Sequence, residues 1–123
     1  MGKINENNIL CVFTMPGVDK DSDIILWRDD EGDGEDTNGY IIITEAIPTG
    51  RKDETDGKDI YEASRLARLR VVENDGEYSV DYNLATESEP SSEEYKALNA
   101  KVIGILDACQ AELFEDYLTR LEA

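Results

Sequence analysis

The sequence predicts an α+β fold, a small antiparallel sheet of about five strands packed against one long C-terminal helix. Three observations predict it. Short β-branched runs separated by turn residues fill the first half of the chain, an Asp75-Gly76 pair sits between two alternating segments, and from Tyr95 to Leu121 apolar residues recur every three or four positions. At 123 residues and 13.8 kDa the chain suits one domain, 1–123, because domains of roughly 100–150 residues hold a single core. The expected divisions are a sheet-forming part over about 9–85, a linker over 86–90 and a helix over about 91–122. No internal repeat interrupts this plan.

The first strand is expected over Ile9 to Thr14, ILCVFT, a continuous apolar run stopped by Pro16-Gly17. Ile24 to Trp27 reads as the second and Gly39 to Thr44, GYIIIT, as the third, with β-branched enrichment that favours strand over helix. The acidic, Gly-rich stretch DDEGDGEDTNG between them, roughly 28–38, predicts a long mobile hairpin connection with nothing to bury. Pro48 to Lys58, PTGRKDETDGK, reads as a second polar loop. The following DIYEASRLA suits one or two turns of helix, with strand as the alternative over 59–66.

Asp-Gly is a preferred pair for a two-residue type I′ turn, so a hairpin is expected around Asp75-Gly76. Counting outward pairs Val71 with Val80, Leu69 with Tyr82 and Ala67 with Leu84 on one face. Arg70 meets Asp81 and Arg68 meets Asn83 on the other. A one-residue slip would destroy both matches, so the register is strongly specified. TESEPS, Thr86 to Ser91, marks a linker, and Ser91 followed by Glu94 reads as a capping box opening the helix. Its stripe is Tyr95, Leu98, Val102, Ile105, Leu106, Cys109, Leu113, Tyr117 and Leu121. Roughly thirty residues at 1.5 Å each give ~45 Å, more than a domain this size needs, so the helix either bends at Gly104 or reaches another chain.

Charge dominates the composition: 29 Asp and Glu against 12 Lys and Arg leave a net charge of −17. Direct binding to nucleic acid or to an anionic membrane is disfavoured, since both need clustered Lys and Arg. The expected partner is cationic, a basic protein. No apolar stretch reaches the ~20 residues of a membrane span, and the start MGKINENN lacks a signal-peptide pattern. Glu6 stands where a myristoylation site needs Ser or Thr, so a cytoplasmic protein is expected. Cys11 and Cys109 are expected as reduced, buried thiols.

Catalysis is not expected. The chain has no histidine, the usual general base and the commonest transition-metal ligand, and no phosphate-binding glycine loop or zinc-spaced cysteine pair. No catalytic residue, cofactor or metal is therefore assigned. Asp19, Asp21 and Asp23, and then Asp29, Glu31, Asp33 and Gly34, resemble the start of an EF-hand loop, but both matches fail. In the first, Ile24 replaces the turn glycine and Asp30 the final glutamate; in the second, Tyr40 stands at the last ligand position. A weak calcium site in the 28–38 loop is the least favoured of three functional readings.

The first reading rests on where the acid lies. From Asp19 to Asp36 there are nine carboxylates, Asp19, Asp21, Asp23, Asp29, Asp30, Glu31, Asp33, Glu35 and Asp36, against Lys20 and Arg28, a balance of −7. In extended backbone, residues two apart lie ~6.6 Å apart on one side, so such a run forms an anionic row like the phosphates of a nucleic-acid strand. The chain resembles, in charge and size alone, the DNA-mimic and anti-defence proteins of phages and mobile elements. That resemblance implies a non-enzymatic inhibitor or modulator of a basic, nucleic-acid-binding protein but carries over no residues; it is the acidic run itself that makes those nine residues the expected contact. The second reading is an assembly subunit that pairs with itself, as a homodimer, or with a larger complex through its C-terminal helix, the acid only keeping the chain soluble.

Overall fold

A computed structural model describes residues 6–16, 21–29 and 40–122. The α+β expectation holds. One curled antiparallel sheet runs in the order β1 (Ile9–Met15), β2 (Ser22–Asp29), β3 (Tyr40–Lys52), β4 (Asp59–Asn74) and β5 (Glu77–Leu84), and one helix, α1 (Glu93–Glu122), packs on it. Every neighbour in sequence is a neighbour in the sheet, as expected of hairpin connections.

The middle strands explain their own composition. On the side facing α1, Ile24, Leu26, Ile41, Ile43, Ala67 and Leu69 form the core with Val102, Ile105, Cys109 and Leu113. On the opposite side, Trp27 and Ile42 stand opposite each other and are almost fully buried, and the Trp27 indole N–H donates to Thr44 Oγ1 at 3.0 Å. Strands buried on both faces read as continuous apolar runs, which is why IILW and YIIIT do not alternate. Burial of each large helix side chain contributes about 1.5–3 kcal/mol, so Val102, Ile105 and Leu113 hold α1 to the sheet.

The β4–β5 hairpin has the predicted register throughout: Val71 opposes Val80, Leu69 opposes Tyr82, Ala67 opposes Leu84, Arg70 opposes Asp81 and Arg68 opposes Asn83. Asp75 and Gly76 both have positive φ, 51° and 86°, as a type I′ turn requires. The Gly76 N–H is held by Glu73 Oε1 at 2.9 Å.

Two expectations are corrected. The stretch Pro48 to Lys58 is not all loop: β3 continues to Lys52 and only residues 53–58 turn. The segment DIYEASRLA is strand, not helix, because it pairs along β3 from Thr44↔Arg65 to Pro48↔Tyr61. Pro48 is tolerated beside an irregularity between Pro48 and Lys52, where Gly50 takes φ 82° and Thr49 Oγ1 donates to the Ile60 carbonyl at 2.8 Å. A second irregularity after Ile43 leaves Leu66 as the extra residue of β4, so Leu66 and Ala67 both reach the core.

The helix start also moves by one residue. Ser92, not Ser91, is the N-cap: its Oγ accepts from the Tyr95 N–H at 3.2 Å and donates to the Glu89 carbonyl at 2.7 Å. Glu94 instead accepts from Ser88 Oγ at 3.0 Å, so the reciprocal half of a capping box is absent. From there α1 is helical through all 30 residues, including Gly104. No helix among the described residues is long and apolar enough to cross a membrane.

Candidate partner-binding surface

A charged surface is set by which charges are left over after the fold has paired its own. Two cations are committed to the seam between sheet and helix. Arg28, at the end of β2, donates through Nη1 to Asp116 Oδ1 of α1 at 3.0 Å. Lys101 of α1 donates to the Glu45 carboxylate of β3, which also accepts from Ser22 Oγ at 2.9 Å. Burial works to raise the Glu45 pKa, but the bonds from Lys101 and Ser22 and the Lys101 charge outweigh it, and the carboxyl titrates below its ordinary value of about 4.5. On the far side of the sheet Arg68 lies over the Tyr40 ring, 4.3 Å from its centroid, with Arg70 at 5.8 Å.

The carboxylates, by contrast, stand mostly outside. Along α1, Asp107, Glu115 and Glu122 are exposed, and at about 100° per residue they fall within an arc of about 80° on the side turned away from the buried Ile105 and Cys109, an arc that the exposed Leu118 shares. They lie about 12 Å and about 10 Å apart along the axis. Glu112, also exposed, flanks this arc. A second group, Asp53, Glu54, Asp56, Asp59 and Glu62, lies at the outer end of the β3–β4 hairpin, where every residue from 50 to 65 is exposed, but Arg51, Lys52, Lys58 and Arg65 stand among them and leave that end nearly neutral. Part of this acid is structural: Asp53 Oδ1 accepts from the Thr55 N–H at 2.7 Å and Asp56 Oδ1 from the Lys58 N–H at 2.9 Å, closing the turn.

Of the nine residues expected to bind a partner, Asp21, Asp23 and Asp29 are described. Asp21 is exposed; Asp23 is half-buried and its Oδ1 accepts from Thr14 Oγ1 at 3.1 Å; Asp29, opposite Tyr40, is only 8% exposed. Asp19, Asp30, Glu31, Asp33, Glu35 and Asp36, the greater part of the 28–38 loop, and the calcium site considered there lie outside the described residues. The sequence marks Glu112 to Asp116 as one acidic cluster, and the helix divides it: Glu112 and Glu115 are exposed, whereas Asp116 turns to Arg28.

No protein-family model, curated protein or solved structure matches the chain. The surface therefore rests on its own chemistry. Among the described residues no three Cys, Asp or Glu side chains are grouped so as to hold a metal ion. A recess of about 30 Å³ beside Ile41, Leu69, Asp116, Tyr117 and Arg120 is far below the ~300 Å³ of a small-ligand pocket and suits water.

The same helix–sheet seam holds the two thiols. Cys11 of β1 is half-buried, Cys109 of α1 is buried, and their sulfurs are 3.0 Å apart, both free. Burial first, then the contact with Cys11 and the charge of Glu112, pushes the Cys109 pKa up to about 12.

Proposed function

We propose that the protein is a non-enzymatic acidic binder that engages a basic, nucleic-acid-binding protein by offering carboxylates where that partner takes phosphates. The observation that carries this reading is the net charge of −17 together with the pairing of Arg28 and Lys101 at the seam between sheet and helix, which leaves the exposed carboxylates Asp107, Glu115 and Glu122 on the outer side of α1. Such surfaces steer cationic partners over long range and compete with nucleic acid for the same groove. The 19–36 segment, by its composition, extends the same field. The test is competition: the protein should displace labelled duplex DNA or RNA from a basic partner captured on it, with an affinity that falls steeply between 50 and 500 mM salt. Simultaneous binding of protein and nucleic acid, without mutual weakening, overturns the reading.

A second reading, assembly through α1, is favoured by Ile103, Leu118 and Leu121, which are 43, 39 and 54% exposed on the helix. Association of that kind scarcely responds to salt, so the same titration separates the two.

A further inference from the structure

The seam between β1 and α1 carries chemistry that the acidic surface does not use. Cys11 sits on the edge strand of the sheet and Cys109 on the buried face of the helix, 98 residues apart in sequence, with sulfurs in contact at 3.0 Å. A disulfide bond is about 2.05 Å long, so closure asks for an approach of about 1 Å, within reach of small side-chain and backbone adjustments. The pair differs in access: Cys11 is half-buried and Cys109 is 1% exposed. We propose that Cys11 and Cys109 form a redox-active dithiol that low-molecular-weight disulfides such as oxidised glutathione convert to an intramolecular bond, locking β1 to α1.

The exchange balances in two steps. The Cys11 thiolate attacks one sulfur of the small disulfide and expels one thiolate, which takes up a proton; Cys11 is left as a mixed disulfide. The Cys109 sulfur then attacks Cys11, its proton leaving with the second small thiol. Two protein thiols are oxidised to one disulfide, and one small disulfide is reduced to two thiols. Cys11 makes the first attack because it is the accessible sulfur. The high Cys109 pKa agrees with this order, since a group that stays protonated at neutral pH is a poor first nucleophile. The product ties the edge strand to the helix across nearly the whole chain, and closing so long a loop restricts the unfolded chain most.

The test uses the full chain, fully reduced and then equilibrated with glutathione buffers of rising oxidised fraction. Peptide mapping without reductant should find Cys11 joined to Cys109 in the monomer with no glutathione retained. The melting temperature should rise by roughly 10 °C, and dithiothreitol should reverse the rise. Cys109→Ser should stop at a glutathione adduct on Cys11, whereas Cys11→Ser should leave Cys109 unmodified. A wild-type protein that keeps glutathione on Cys11, links only between chains, leaves both thiols unreacted, or gains no stability from the cross-link overturns the proposal. Should either variant fail to fold, mapping and melting of the wild-type protein decide alone.

Discussion

Arg28 and Asp116 join the last residues of β2 to the C-terminal third of α1 through a 3.0 Å charge-assisted hydrogen bond, with side chains 26 and 13% exposed. Since both ends of this pair are partly shielded, it should count for more than a solvated ion pair but stay below a fully buried one. A double-mutant cycle with Arg28→Met and Asp116→Asn should give a coupling of about 1 kcal/mol, smaller in 1 M salt. A coupling of zero at low salt would mean that α1 is held by its apolar stripe alone.

Across the β4–β5 hairpin, Arg70 opposes Asp81 and both are exposed. Reversing either charge places like charges opposite each other, whereas exchanging both restores the match. We expect Arg70→Asp with Asp81→Arg to melt closer to the wild type than either single variant, by no more than about 1 kcal/mol. Equal damage from the double and single variants would contradict the register.

That hairpin was legible because two independent signals, apolar pairing and charge pairing, agree only in one register around a turn whose residues tolerate positive φ. The α1 stripe was legible for a similar reason: Val102, Ile105, Cys109 and Leu113 repeat at the helical period and all four are buried. The β3–β4 hairpin was not. Residues 60–65 are exposed on both faces, so no burial pattern marks them as strand, and their pairing with β3 is a long-range fact. The candidate surface was half legible: the 19–36 acid and the Glu112 to Asp116 cluster are contiguous in sequence, whereas the grouping of Glu115 with Asp107 and Glu122 on one side of α1 exists only after folding. The contact of Cys11 with Cys109 spans 98 residues and left no local trace.

Acid should loosen the seam at Glu45. Its folded pKa lies below about 4.5, so the carboxylate contributes stability that is fully present above its unfolded pKa and is lost as pH falls through the lower folded value. Lys101→Met removes the cation that helps lower this pKa. Relative to the wild type, that variant should lose about 1 kcal/mol at pH 7 and progressively less below pH 4. Urea midpoints measured from pH 3 to pH 7 check this; a deficit independent of pH would assign the loss to Lys101 packing instead.

Gly104 lies in the middle of α1, exposed, and a Cβ built on it would meet no atom within 4 Å. Glycine there costs backbone entropy and gains no close approach in return. Gly104→Ala should therefore stabilise the protein by about 0.5–1 kcal/mol, read as a higher urea midpoint with unchanged slope. A destabilised variant would show that α1 bends at this residue in solution.

Charge reversal separates the two acidic surfaces. Changing Asp107, Glu115 and Glu122 to Lys removes the carboxylates from the outer side of α1 without touching the core stripe, and a cation at 122 suits the helix C-terminus, so the fold should be retained within about 1 kcal/mol. Changing Asp30, Glu31, Asp33 and Asp36 to Lys removes the sequence-contiguous cluster instead. If charge drives binding, at least one set should weaken competition with nucleic acid for the basic partner at least tenfold, and the remaining binding should show a shallower salt dependence. Loss confined to the first set places the contact on α1, and loss confined to the second places it in the 19–36 segment. Unchanged competition by both sets refutes the charge-driven reading and moves the interface to Ile103, Leu118 and Leu121, whose replacement by Ser should then disrupt association at any salt concentration.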